Sequence, residues 1–219
     1  MINGGTIESM KIDDAYSKWA ANYDTDRNLT RDLDRDVTER TLASSRFTRI
    51  VEAGCGTGKN TPLFARIGGE VLALDFSEGM LAIARQRVTD RNVCFKQANL
   101  LKPWPCDTGV AQLVSCNLVL EHVEHLEAIF REAARVLAVG GSFSVSELHP
   151  HKQYLGSQAR FGDAGHSEIK IDAFTHHLSD FVGAARAAGF QLESVDEAWH
   201  DEDVATPPRL IYFMFRKAA

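Results

Sequence analysis

Val51-Glu52-Ala53-Gly54-Cys55-Gly56-Thr57-Gly58-Lys59-Asn60 places three glycines at alternate positions between an apolar run and a helix-like run. Without Cβ atoms at those positions a ligand can approach the backbone closely, and the chain can take dihedrals closed to other residues. A strand that enters such a turn and leaves it as a helix is the opening unit of an open α/β sheet.

Downstream of this turn the pattern repeats. Residues 60–67 read as a helix stopped by Gly68-Gly69. Val71-Leu72-Ala73-Leu74 reads as a buried strand ending in Asp75, and Ser77 is placed to N-cap a helix carrying Met80, Leu81, Ile83 and Ala84. A short strand around Val93-Cys94-Phe95 leads into residues 99–105, where Pro103 and Pro105 exclude a helix interior. Residues 110–118 predict a central strand. Leu126, Ile129, Phe130, Ala133, Ala134 and Leu137 then recur at helical spacing, with Gly140-Gly141 as the stop and residues 143–148 as a fifth strand.

A polar insertion at about 150–172 carries Tyr154 and Phe161, and loops of that length in a compact domain are usually functional or disordered. The next helix is predicted to gather Phe174, Leu178, Phe181, Val182 and Ala185 on one side. Residues 190–199 and 210–215 are strand-like with no helical pattern between them, which predicts an antiparallel ending.

Upstream, residues 1–45 are polar and helix-like, with Tyr16, Trp19 and Tyr23 spaced to share one helical face. They read as an N-terminal helical lid on a core domain of residues 46–219. The mixed-charge run 25–36 is expected to be solvated.

Together these elements predict an α/β chain with a Rossmann-like, doubly wound, mostly parallel seven-stranded sheet. Helices cover both faces and the C-terminal strand is antiparallel. Ligands of such sheets sit at the carboxyl ends of the strands, near the switch point. The glycine turn, Asp75, Asn99, Asn117 and residues 147–150 all fall there.

A net charge of −6 with no basic cluster argues against a nucleic-acid partner. The four cysteines, Cys55, Cys94, Cys106 and Cys116, have no CxxC spacing and read as buried reduced thiols rather than a disulfide frame or zinc site. No apolar run approaches the roughly 20 residues of a membrane span, and Met1-Ile2-Asn3-Gly4-Gly5 lacks the regions of a signal peptide. A cytoplasmic protein with no membrane partner is expected.

The glycine spacing discriminates among cofactors. A dinucleotide fingerprint would place its third glycine at position 59, where Lys59 stands, and a phosphate-binding P-loop would need glycine at Ala53 and Ser or Thr at Asn60. The spacing Glu52-x-Gly54-x-Gly56-x-Gly58 instead resembles the nucleoside-binding loop of class I S-adenosylmethionine-dependent methyltransferases of the small-molecule type. That resemblance runs from about residue 16 to 215 and implies S-adenosylmethionine as cofactor. It assigns Glu52, Gly54, Cys55, Gly56 and Gly58 to the cofactor loop and Asp75 to the ribose hydroxyls, since a carboxylate offers a diol several acceptors and no competing donor. Phe76, Met80, Asn99 and Leu100 fall to the adenine, although the family more often has Asp than Asn at position 99. Asn117 and Leu118 fall to the methionine portion, and Tyr23 to a helix closing over the cofactor.

Methyl transfer from a sulfonium is an in-line displacement in which the enzyme mainly aligns the partners and excludes water. A proton must leave the acceptor, and histidine is the natural base. His149, just past the fifth strand, is the first candidate and His122 the second, while His125 is expected to be solvated. The pairs His122-x-x-His125 and His149-x-His151 could suggest metal, but no cysteine spacing supports it and no metal is expected. Tyr154, Phe161, Phe174, His176 and His177 are expected to meet a small-molecule substrate. The rival readings are a cofactor-binding regulatory protein of the same fold and, against the glycine spacing, a nicotinamide-dependent oxidoreductase.

Overall fold

The computed structural model describes residues 27–156, 160–161, 169–170 and 173–218, with only the backbone given for the two short middle pieces. The predicted lid residues Tyr16, Trp19 and Tyr23 lie outside the described residues, as do the side chain of Phe161 and most of the polar insertion.

Helix α1 (Leu29–Leu42) begins at Asn28, whose side chain accepts the backbone N–H groups of Thr30 and Arg31. Its Leu33 and Val37 pack on Leu210 and Tyr212. The expectation of a solvated run therefore fails at Arg31, Leu33 and Asp34, all of which are buried. A tertiary surface, invisible in local composition, takes one side of this charged helix.

Strand β1 (Phe47–Ala53) enters the glycine turn, α2 (Thr61–Ile67) leaves it with a proline in its first turn, and β2 (Gly68–Asp75) follows at once. Ser77 caps α3 (Glu78–Arg87) through the Met80 N–H, and β3 (Val93–Gln97) follows. Next come β4 (Ala111–Asn117), a 3₁₀ turn (Leu120–His122), α4 (Glu127–Val136) and β5 (Leu137–Leu148). A short α5 (Pro150–Tyr154), the two-residue strands β6 (Arg160–Phe161) and β7 (Ile169–Lys170), α6 (Leu178–Ala187), β8 (Phe190–Ala198) and β9 (Leu210–Lys217) complete the chain.

The main sheet has seven strands in the order β3-β2-β1-β4-β5-β9-β8. β1 pairs in parallel with β2 and β4, and β9 runs antiparallel to β5 and β8. The order reverses between β1 and β4, which is where a ligand crevice opens in an open α/β sheet. Its core includes Phe130, Phe143, Phe190 and Phe215, with Phe130 edge-on to Phe143 at 5.1 Å between ring centroids. Each such buried ring contributes about 1.5–3 kcal/mol.

Three local expectations are corrected. Gly140-Gly141 does not end α4: Leu137 already pairs with Ala111, and the register then shifts so that Leu113 meets Ser142, leaving the glycines in a bulge of β5. On α6 the buried side is Phe181, Ala184 and Ala185, whereas Leu178 and Val182 are exposed and Phe174 precedes the helix. Cys94 is exposed because β3 is an edge strand, while Cys55 and Cys116 are buried and all four thiols are free.

Candidate functional site

A cavity of about 720 Å³ opens at the carboxyl ends of the strands, beside the switch point. The glycine turn forms its floor. Gly54 (φ 83°) and Gly56 (φ 52°) both lie in the left-handed region, for different reasons. A Cβ on Gly54 would meet Val119 Cγ2 at 2.2 Å, so glycine is required for the neighbouring chain to pass. A Cβ on Gly56 would meet nothing within 4 Å, so this backbone stands open for a ligand. Gly58 is absent from the cavity wall; its Cα faces Ala84 and Val88, and it serves the packing of α3.

Asp75 lies at the end of β2 with 6% exposure. Its Oδ2 accepts the Gly56 N–H at 2.8 Å and its Oδ1 the Ser77 N–H at 2.9 Å, so one carboxylate joins the glycine turn to the helix cap. Phe76, Met80, Asn99 and Leu100 continue the wall, and Asn99 closes its own turn by accepting the Leu101 N–H.

Glu52, Cys55, Asn117 and Leu118 also line the cavity. Glu52 accepts the Thr61 hydroxyl at 2.6 Å. Burial pushes its pKa up to about 8 against the Thr61 bond, and the charges of Asp34 and Asp75 add to the shift. Asn117 donates to Asp34 at 2.8 Å and to Thr38 at 3.0 Å, and Asn60 donates to Asp34 at 2.8 Å. Burial raises the pKa of Asp34 against these bonds. One carboxyl on α1 thus ties the helix to the glycine turn and to β4.

His122 stands on the cavity wall, its Nε2 3.8 Å from Glu121 Oε1. Burial pushes the Glu121 pKa up to about 7. His149 is not on the wall: its Nδ1 accepts the His151 N–H at 3.1 Å and its Nε2 lies 3.0 Å from Glu197 on β8. The strand-end argument misplaced it because β5 runs directly into α5, whose N-cap it becomes, and because β8 supplies a partner across the edge of the sheet.

The downstream residues expected to meet substrate are employed otherwise. Tyr154 bonds to His177 Nδ1 at 2.6 Å, and His176 bonds to the carbonyls of Leu120 and Val123 at 3.0 and 2.7 Å. None of Tyr154, Phe174, His176 and His177 lines the cavity. Among the described residues no group of three or more His, Cys, Asp or Glu side chains is arranged to hold a metal ion.

Sequence reasoning missed Arg31, Asp34, Lys59 and Gln97, all on the wall. Asn28 as an N-cap was a readable signal that α1 begins there, and Arg31 and Asp34 then fall three apart on one face. Lys59 donates to Asp32 at 2.6 Å and through that bond lowers the Asp32 pKa. Nothing local marked Gln97, which donates to the Phe76 carbonyl at 2.8 Å.

The arrangement offers an open glycine backbone beside an acid, apolar walls at Phe76, Met80 and Leu100, and polar walls that include a histidine. An elongated ligand with a polyol, a flat apolar ring and a polar tail fits those features. No helix of the described residues is long and apolar enough to cross a membrane.

Residues 51–145 match the methyltransferase domain family. The chain is 30% identical over 234 residues to an uncharacterized methyltransferase of Emericella nidulans, an alignment covering 90% of this chain and 81% of that protein. It is 29% identical over 165 residues to a ubiquinone biosynthesis O-methyltransferase of Xanthomonas oryzae pv. oryzae, covering 70% and 68% of the two. The solved complex of DhpI with SAM and HEP shares its fold, with a TM-score of 0.74 at 23% identity over 99% of this chain and 100% of that one.

Proposed function

The chain belongs to the class I S-adenosylmethionine-dependent methyltransferases, and from that premise we propose that it methylates a small-molecule acceptor. The observation that carries this reading is the cavity itself. Its volume of about 720 Å³ falls within the roughly 300–1,000 Å³ of small-molecule sites, and α1 is bonded to its polar walls through Asp34. A relative named as a ubiquinone biosynthesis O-methyltransferase is in keeping with this reading.

The cofactor, when bound, supplies a methyl group on an already activated leaving group. Asp75 holds the ribose hydroxyls, while Phe76, Met80 and Leu100 enclose the adenine with Asn99 at its edge. Glu52, Gly54, Cys55 and Gly56, with Asn117 and Leu118, hold the methionine portion. The acceptor enters beside His122, which takes its proton in place of His149, whose ring faces β8. Walls of Leu118, Val119 and Val123 exclude water there and align the acceptor.

Titration with S-adenosylmethionine and with its demethylated product tests the binding half. Asp75→Ala is expected to weaken both by roughly tenfold or more, the scale of losing charged hydrogen bonds. Transfer of labelled methyl to a panel of phenols, carboxylic acids and amines tests the other half. With the acceptor so found, His122→Gln is expected to lower kcat by about 10²-fold or more while leaving cofactor affinity within a factor of a few. An unchanged kcat in His122→Gln would remove its role as base.

A further inference from the structure

Beyond Asn117 the chain leaves the sheet, passes over the cavity and enters the 3₁₀ turn Leu120–His122. The end of β5 takes three consecutive N–H groups of that passage. Leu118 donates to the Ser146 carbonyl at 2.8 Å, and Val119 and Leu120 donate to Glu147 Oε1 at 2.9 and 2.8 Å. Leu118 itself sits at φ 56°, a left-handed conformation that a leucine holds only where its surroundings impose it. From the outer side Phe174 donates to the Glu121 carbonyl at 2.7 Å and His176 bonds to Leu120 and Val123.

Residues Leu118, Val119, His122 and Val123 of this segment all line the cavity. Val119 also sits against Gly54, so its placement shapes the glycine turn. We propose that Glu147 is a positioning residue of the methyl-transfer site: by accepting the Val119 and Leu120 N–H groups it fixes the strained turn that sets Leu118 and His122 against the cavity. The role rests on the reading of that cavity as the cofactor and acceptor site.

Both bonds end on one oxygen, Oε1, so a single side-chain carbonyl oxygen can accept them. Glu147 is 2% exposed, and burial pushes its pKa up to about 8 against the two N–H bonds. Glutamine at this position offers the same acceptor. Leucine offers none and leaves the buried Leu120 N–H and the part-buried Val119 N–H without it.

The test combines residue-resolved amide hydrogen exchange with titration of S-adenosylhomocysteine, neither of which needs a known acceptor. Glu147→Gln is expected to keep slow exchange at Val119 and Leu120 and an affinity within about threefold of the parent. Glu147→Leu is expected to speed exchange at those two amides by at least about tenfold, leave the amides of β1 and β2 protected, and weaken binding at least about tenfold. Should Glu147→Leu fail to fold, Glu147→Asp withdraws the carboxyl by one methylene and is expected to show the same local exchange and weaker binding. The positioning role is overturned if Glu147→Leu, or Glu147→Asp in its place, exchanges and binds like the parent. It is equally overturned if exchange rises evenly through the chain with affinity intact, or if Glu147→Gln is as impaired as Glu147→Leu. Parent protein that binds no S-adenosylhomocysteine would instead sink the reading of the cavity itself.

Discussion

At the scale of single residues, burial shifts three glutamates at and around the site toward their protonated form. The pKa values of Glu52 and Glu147 are pushed up to about 8 and that of Glu121 to about 7, against 4.5 for an ordinary glutamate. An acid that holds its proton more tightly folded than unfolded contributes stability that is complete below the unfolded pKa and is lost as pH rises through the folded one. The ligand-free protein is therefore expected to melt at progressively lower temperature as pH rises from about 5.5 to 8.5. Glu52→Gln and Glu147→Gln should flatten that decline, and a melting temperature rising over the same window would contradict it. Asp203 works in the opposite sense. Arg209 lowers its pKa to about 2, so its contribution stands above about pH 4 and fails only in acid. The two glycines separate fold from ligand in the same way. Gly54→Ala is expected to cost about 1–3 kcal/mol or more in chemical denaturation, from strain and the clash with Val119. Gly56→Ala should unfold closer to the parent yet bind the cofactor more weakly.

At the scale of elements, α1 does two jobs at once. Leu33 and Val37 dock it on β9, while Asp34 faces the cavity and holds the amides of Asn60 and Asn117. Asp34→Ala leaves the buried Asn60 amide without that acceptor, which costs roughly 1–3 kcal/mol, while the half-buried Asn117 keeps Thr38. Thermal unfolding with and without cofactor is expected to show lower stability and a smaller ligand-induced shift; an unchanged shift would detach α1 from the site. This double role is also why α1 was not legible as part of the site, since alternating charges along residues 29–36 look like a solvated surface until a partner surface is known. The helices α3 and α4 were legible because Ser77 and the apolar spacing of Ile129, Phe130 and Ala133 are local signals. The exposed Leu178 and Val182 on α6 show the limit of the same reasoning. An apolar spacing names a face, but the neighbouring strand decides which part of it is covered.

At the scale of the whole molecule, one topological event makes the site. The sheet order reverses between β1 and β4, and the glycine turn, Asp75 and Asn117 meet there because each ends a neighbouring parallel strand. That part of the site was readable, since a strand-end position is a local property and the parallel order brings such positions together. Gln97 carries no local mark, and Arg31 and Asp34, although the Asn28 cap sets them on one helical face, reach the cavity only through tertiary packing. His149 shows the converse, a strand-end residue that β8 draws away through Glu197. The most direct measurement follows labelled methyl from S-adenosylmethionine into a fractionated pool of small metabolites and, in parallel, into protein and nucleic acid. The expected result is label in the small-molecule fraction, strongly reduced by Asp75→Ala at sub-saturating cofactor. Label confined to the macromolecular fraction, or no transfer from a protein that binds the cofactor, would contradict a small-molecule methyltransferase.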